Sequence, residues 1–333
     1  MSDWTAMVLA AGYGTRLRPL TDELPKPLLP VANRPLLSLV LHWLFRFQPQ
    51  RVVVNGHYRA RQLDDFLRAS PRADRLSFVH EQEILGTGGG IRNAAPRLDG
   101  EFFVTVNSDV LTDLPLDLVI DFHRQQPQDV LVTMVFHDYP RFNSVQVAGE
   151  RVVSFDASHP AGDKAQQLAY TGIQVCSPRL LDFLAATSGF LSLIDVYERL
   201  LREGQGGIAA YILPKGCYYW RDVGTVNDYL GVHRDLHNDA TLARLLLGDD
   251  VVFPLVAPGS RAAGAALSGA TVVAPRCELA AGSQIEDSIL WPGAVVGRDC
   301  RLQRCVVGKD VRIPAAGVFI DQVLADKKIE VIN

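Results

Sequence analysis

The sequence predicts an α/β protein: a three-layer, mainly parallel sheet domain over residues 1–248 and a short parallel β-helix over residues 249–333. Three observations point there. Up to about residue 225, short apolar runs alternate with stretches of helical spacing. From Leu267 onward a large apolar residue recurs at almost every sixth position. Hydrophobic residues make up 48% of the 333 and charged residues 21%, which suits a chain with a sizeable core rather than a disordered one.

In order along the chain, AMVLA (6–10), RVVVN (51–55), LSFVH (76–80), FFVTV (102–106) and VLVTMVF (130–136) are near-continuous apolar runs. Such runs suit strands buried on both faces of a parallel sheet, whose carboxyl ends are where ligands bind. PLLSLVLHWLFRF (35–47), RARQLDDFLRA (59–69) and PLDLVIDFHRQQ (115–126) carry helical spacing. The stretch 220–248 reads as helical in its later part. Beyond it, Leu267, Val273, Leu279, Ile285, Leu290, Val296, Leu302, Val307, Ile313 and Phe319 form the large series. Two positions before each stands Ala265, Thr271, Cys277, Ser283, Ser288, Ala294, Cys300, Cys305, Val311 or Gly317. One large and one small inward residue per side is the pattern of a parallel β-helix; with roughly 18 residues per three-sided coil, about three coils are expected. Cys277, Cys300 and Cys305 fall on the small position, where cysteine serves as a small hydrophobe; the spacing of a zinc site is absent.

The chemistry concentrates in LAAGYGTRLRPLTDELPKPLLP (9–30). Gly12 and Gly14 follow a predicted strand, where glycine permits positive φ and close approach of backbone N–H groups to an anion. No GxxxxGK[ST] loop occurs, and Leu17 stands at the third glycine position of a dinucleotide fingerprint. For the two glycines alone, a plain strand-to-helix turn is the better reading. The addition of Thr15, Arg16 and Pro25-Lys26-Pro27 favours phosphate. Arg16 offers a planar fork, and Lys26 a point charge on backbone restrained by its two prolines. The net charge of −4 argues against a nucleic-acid footprint, so an anionic ligand must be met by a few placed cations.

LAAGYGTRLRPLTDELPKPLLPVANRPLL (9–37) resembles the signature of the sugar-nucleotide pyrophosphorylases, the nucleotide-sugar nucleotidyltransferases. The resemblance implies a Rossmann-like nucleotidyltransferase domain followed by a left-handed β-helix, a magnesium ion, and a reaction joining a sugar 1-phosphate to a nucleoside triphosphate. HEQEILGTGGGI (80–91) is similar to the family's nucleobase loop. It implies that Gly86, Thr87 and Gly88 offer the base a flat backbone surface and Glu81 a hydrogen bond; a glycine-rich helix start is the plainer alternative. VNSDV (106–110) and YWRDVGTVNDYL (219–230) look like the two metal-aspartate motifs, implying that Asp109 and Asp222 hold Mg²⁺. An ordinary loop or helix-capping role is the plainer alternative for each. The implied site therefore has Arg16, Lys26, Asp109 and Asp222 as catalytic residues. Leu9, Ala11, Gly12, Gly14, Thr15, Glu81, Gly86 and Thr87 would bind nucleotide, and Asn107, Thr171 and Gly172 the sugar.

The sequence departs from the family at VVSFDASHP (152–160), which lacks the lysine of an F-x-E-K-P segment; Lys164 and Arg141 are the candidate replacements. The Thr171-Gly172 variant and the GTGGG loop look like N-acetylmuramate 1-phosphate uridylyltransferases, whereas HEQEILGT and the β-helix look like mannose-1-phosphate guanylyltransferases. A non-catalytic regulatory or assembly subunit is the alternative; it would be expected to have lost the cations or aspartates, and all four stand. An acyltransferase reading is weaker, because residues 249–333 contain no histidine. HRDLHN (233–238) matches neither a kinase loop nor a zinc motif, and His233 and His237 are expected on a solvated helix face. Five cysteines without CxxC pairs, no secretory signal and no apolar stretch of ~20 residues suit the cytoplasm and exclude a membrane partner. The β-helix ends leave strand edges to be covered, by LADKKIEVIN (324–333) or by another subunit, so a homo-oligomer is expected.

Overall fold

A computed structural model describes residues 3–156, 165–248, 251–325 and 328–332. By compactness the chain forms two units, Met1–Gly12 with Leu41–Trp220 and Tyr13–Val40 with Arg221–Asn333.

The first unit is built on nine strands: β1 (Trp4–Leu9), β2 (Arg51–Gly56), β3 (Leu76–His80), β4 (Phe102–Asn107), β5 (Val130–His137), β6 (Val145–Ala148), β7 (Arg151–Ser154), β8 (Gln166–Cys176) and β9 (Gly207–Ile212). They form one sheet in the order β3-β2-β1-β4-β8-β5-β9-β7-β6. Strands β3, β2, β1 and β4 are mutually parallel, so their carboxyl ends lie along one edge. Met7, Val8, Val52, Val53, Val54 and Val104 are fully buried, as apolar runs covered on both faces require. The helices up to Trp220 are α1 (Leu36–Phe45), α2 (Ala60–Arg68), α3 (Gly86–Ala94), α4 (Leu116–Arg124), α5 (Leu180–Ala185) and α6 (Leu193–Glu203). Of these, α1, α2 and α4 fall on the three stretches of helical spacing.

Strand β8 makes the sheet mixed, because it enters antiparallel between β4 and β5. Its apolar pattern is broken by Thr171, Gly172 and Gln174, which hid it in the sequence. Gln174 is fully buried and accepts the Tyr197 hydroxyl at 2.9 Å. The register against β5 breaks between Tyr170 and Gln174, and Gly172 sits there with φ +81°.

In the second unit, residues 13–40 form three short 3₁₀ turns, Thr15–Leu17, Leu20–Asp22 and Lys26–Leu28, anchored by buried Leu17, Leu20, Leu29 and Val31. Helices α7 (Val226–Asn238) and α8 (Ala240–Leu247) follow. The hexad region is a parallel β-helix with three faces. Val272 stands opposite Ile289, Ile289 opposite Val306 and Val306 opposite Val323, 17 residues apart, while Leu267 stands opposite Ile285, 18 residues on, so coils of both lengths occur. One side is a residue short, as the five-residue steps Ile285 to Leu290 and Leu302 to Val307 show. That corner turns through left-handed backbone at Gly269, Asp287, Arg304 and Asp321. Asp tolerates this region because its short side chain bonds locally; Asp287 Oδ1 accepts Ala270 N–H of the coil before at 2.8 Å. The stack begins at Leu255, ahead of the first hexad residue, and therefore has more than the three expected coils. Its interior holds the large series with Cys277, Cys300 and Cys305, all buried. The small positions also bond between coils: Ser288 Oγ accepts Cys305 N–H at 3.0 Å. The segment Lys328–Val331 adds antiparallel to Gln322–Ala325 and covers that edge.

His233 is a correction. It is 1% exposed, not on a solvated face. Its Nε2 accepts Ala32 N–H at 3.1 Å, so Nδ1 carries the proton and donates to Tyr229 O at 2.7 Å. Burial lowers its pKa to about 4, and only the neutral ring fits an N–H donor at Nε2. The unfolded chain therefore binds more protons between pH 6.5 and 4, and stability is lost as pH falls through that window. We expect a loss of about 2 kcal/mol between pH 7 and 5 from this residue. Urea unfolding at both pH values would show it, and an equal loss in His233→Gln would exclude His233 as the cause.

Candidate active site

In the first unit the expected residues gather at the carboxyl ends of the parallel strands. Leu9 ends β1 opposite Asn107 at the end of β4, and Leu9 O accepts Ser108 N–H at 3.1 Å. Ala11 and Gly12 leave β1 there, and Asp109 stands in the tight turn between β4 and the short strand Val110–Thr112. No helix starts at Asp109, so the capping alternative falls away. Gly12 has neither positive φ nor an atom within 4 Å of where a Cβ would stand. Nothing in the chain demands glycine there, and the space over its backbone is open.

Asn107 and the β8 bulge meet. A Cβ on Gly172 would lie 2.7 Å from Asn107 Nδ2, so only glycine lets the strand pass this close. Thr171, fully buried, donates its hydroxyl to Val135 O at 2.9 Å, while its carbonyl accepts Trp220 Nε1 at 2.8 Å.

The GTGGG loop opens α3, as the plainer alternative had it, and its glycines make room for protein. A Cβ on Gly86 would fall 2.6 Å from Leu191 O, and that carbonyl accepts Gly88 N–H at 3.0 Å and Gly89 N–H at 3.2 Å. Thr87 Oγ1 accepts Leu193 N–H at 3.2 Å. Glu81 is 1% exposed; Oε1 accepts Asn55 Nδ2 at 2.6 Å and Oε2 accepts Leu85 N–H at 3.1 Å. Asn55 was not singled out in the sequence, since it reads as the plain end of an apolar strand.

In the second unit, Gly14 caps the first 3₁₀ turn with φ +64°, and its carbonyl accepts the Thr21 hydroxyl at 2.9 Å. A Cβ on Gly14 would lie 3.1 Å from Lys26 Cβ, so the loop carrying Thr15 and Arg16 folds directly against Lys26. Pro25 is extended, with φ −64° as its ring requires and ψ 144°. Arg16 is exposed and Lys26 half-buried.

Arg16 and Asp222 come together around Gly224. A Cβ there would stand 2.5 Å from Asp222 Oδ2 and 3.1 and 3.2 Å from the two Arg16 terminal nitrogens. The helix cap after Asp222 is made by Thr225, whose hydroxyl accepts Asp228 N–H while the Asp228 carboxylate accepts Thr225 N–H, so the capping alternative for Asp222 falls away. Next to Asp222, Arg221 pairs with Asp235 at 2.5 Å, passing so close to Gly231 that a Cβ there would be 2.8 Å from it. Of the lysine replacements, Lys164 lies outside the described residues, and Arg141 is exposed over the Phe142 ring at 4.8 Å.

The first unit thus gathers strand-end loops, and the second a cation on a proline-restrained turn, a guanidinium beside a carboxylate and a β-helix. Residues 5–239 match the family Nucleotidyl transferase, and residues 249–329 match GlmU-like, C-terminal hexapeptide. The chain belongs to the nucleotidyl transferase family and carries the family's enzymatic fold. It is 32% identical over 305 residues to a mannose-1-phosphate guanylyltransferase of Mycobacterium tuberculosis, covering 90% of this chain and 83% of that one. It is also 32% identical over 225 residues to an N-acetylmuramate alpha-1-phosphate uridylyltransferase of Neisseria meningitidis, covering 66% and 93%. A UTP–glucose-1-phosphate uridylyltransferase of Synechocystis is 22% identical over 356 residues, covering 95% and 90%.

Proposed function

We propose that this nucleotidyltransferase joins a sugar 1-phosphate to a nucleoside triphosphate, giving a nucleoside diphosphate sugar and pyrophosphate. The observation that carries the reading is the paired placement of cations, Lys26 against the Gly14 turn and Arg16 beside Asp222. A phosphate oxygen of the sugar phosphate attacks the α-phosphorus, and the bond to the departing pyrophosphate breaks. The sugar phosphate is already anionic near neutral pH, its second pKa lying near ~6, so no general base is required. Arg16 and Lys26 hold the triphosphate and offset charge on the pyrophosphate as it leaves. Ala11, Gly12, Gly14 and Thr15 line the phosphates with backbone. Leu9, Glu81, Gly86 and Thr87 belong to the nucleotide side, and Asn107, Thr171 and Gly172 to the sugar side.

Asp109 and Asp222 are the residues assigned to Mg²⁺. Among the described residues no group of three or more His, Cys, Asp or Glu side chains could hold a metal. Two carboxylates completed by substrate phosphates and water are the donor set magnesium accepts. When bound, the ion neutralises phosphate charge and orients the reacting groups.

The modules 1–248 and 249–333 divide catalysis from assembly in this reading. Val318, Ile320, Ile329 and Val331, on the last strands of the β-helix, are exposed apolar side chains that support a homo-oligomer. A strictly monomeric mass in light scattering at micromolar concentration would refute it. No helix among the described residues is long and apolar enough to cross a membrane. Five free thiols, four of them buried, support a cytoplasmic setting.

The test is pyrophosphate release with Mg²⁺, each nucleoside triphosphate and a panel of sugar 1-phosphates. The panel is headed by the pairings named for the relatives, mannose 1-phosphate with GTP and N-acetylmuramate 1-phosphate with UTP. Release with one pairing is expected. Silence across the panel, from folded protein that binds a nucleotide sugar, would instead favour a non-catalytic subunit.

A further inference from the structure

Four backbone and side-chain groups from three strand ends and one helix start are joined in a single buried chain of hydrogen bonds. Asn55 lies near the end of β2 and is 3% exposed; Glu81 follows β3 and is 1% exposed. Asn55 Oδ1 accepts Ala10 N–H, the first residue past β1, at 2.7 Å. Its Nδ2 donates to Glu81 Oε1 at 2.6 Å, and Glu81 Oε2 accepts Leu85 N–H, just before α3, at 3.1 Å. Glu81 is also fixed through its backbone, its N–H bonded to Gly56 O at 2.8 Å and its carbonyl to His57 Nδ1 at 2.9 Å. Gly90 of α3 packs onto the junction: a Cβ there would stand 2.8 Å from both Asn55 Nδ2 and Glu81 Oε1.

With both carboxylate oxygens engaged and almost no exposed surface, Glu81 is poorly placed to read a nucleobase. We propose that Asn55 and Glu81 are positioning residues: they fix the distance between the start of the phosphate loop at Ala10 and the start of the base loop at Leu85, and so preorganise the protein for nucleoside triphosphate. This inference rests on the nucleotidyltransferase reading above and assigns a new role within it. Each bond is directional. An amide at 55 must present oxygen to Ala10 N–H and hydrogen to residue 81, and residue 81 must present an acceptor to both neighbours. Removing one member leaves a buried group without its partner and frees the two loops from each other.

The polarity of the chain can be reversed without losing a bond. In Asn55→Asp with Glu81→Gln, the new carboxylate accepts from Ala10 N–H and from the new amide, whose oxygen still accepts Leu85 N–H. Asn55→Asp alone sets two carboxylates face to face, and Glu81→Gln alone sets two amide NH₂ groups face to face. We expect each single variant to raise the KM for nucleoside triphosphate tenfold or more with a smaller change in kcat, and to weaken binding of the same nucleotide in calorimetry by a similar factor. The double variant should recover most of both. All four proteins should keep the wild-type order of preference among GTP, UTP, ATP, CTP and dTTP.

An unchanged KM in a folded single variant, or a double variant no better than the singles, overturns the proposal. A changed order of nucleotide preference in Glu81→Gln overturns it too, because Glu81 would then be reading the base. The wild-type protein is measured first: if it binds no nucleoside triphosphate, the function falls and the positioning role with it. Turnover by the wild type with indifferent variants removes the positioning role alone.

Discussion

Asp222→Asn is expected to lower kcat by about 10²- to 10³-fold while leaving the unfolding temperature close to wild type. The two halves of that expectation come from different observations. Asp222 is not needed for the helix cap, because the start of α7 is capped by Thr225 and Asp228 without it. Its carboxylate instead lies against Gly224 next to the Arg16 guanidinium, where the proposed function has it hold a phosphate-bound cation. Asparagine keeps the size and removes the charge. Asp109→Asn should lower kcat alike, since Asp109 stands in the turn leaving β4. Excess EDTA should abolish pyrophosphate release from the wild type, and added Mg²⁺ should restore it. Full turnover in EDTA, or in either variant at saturating Mg²⁺, would remove the metal role from both aspartates.

What could be read from sequence followed from how local the cause was. The strands β1, β2, β4 and β5 were visible because burial on both faces leaves an unbroken apolar run, a signal contained within each segment. The restraint on Lys26 was visible for a similar reason, since Pro25 and Pro27 act on their neighbours. Strand β8 was not, because Gln174 bonds through its oxygen to Tyr197, 23 residues later, and Gly172 answers the need to pass Asn107. Glu81 shows the same limit. Its motif marked the loop that opens α3, but its partner Asn55 is 26 residues away, and no local pattern announces the bond. The β-helix coil of roughly 18 residues was legible because the inward series repeats locally, and its five-residue steps mark the coils of 17. The corners, where Asp287, Arg304 and Asp321 take left-handed backbone, set the true repeat. His233 looked like a surface residue within HRDLHN, and it is the backbone of Ala32, far away in sequence, that buries it.

Gly224→Ala is expected to lower kcat/KM by about 10²-fold, although residue 224 carries no functional group. Its φ is not in the left-handed region, so alanine can adopt the backbone without strain. The cost falls on what faces it. A methyl group 2.5 Å from Asp222 Oδ2 and 3.1 Å from an Arg16 nitrogen must push at least one of them away. Asp222 has little room to yield by backbone movement, because Arg221 beside it is held to α7 through Asp235 and lies in the space left by Gly231. The side chains therefore move, and a displacement of about 1 Å in the proposed phosphate clamp is enough for a loss of this size. Two readings separate the cause from a general loosening of the fold. The Mg²⁺ concentration for half-maximal rate should rise if Asp222 is displaced. The loss in Gly224→Ala combined with Arg16→Ala should be smaller than the product of the two single losses if Arg16 is displaced, since a side chain already removed cannot be pushed aside. Independent, multiplying losses with an unchanged Mg²⁺ requirement would mean that Gly224 acts on neither residue.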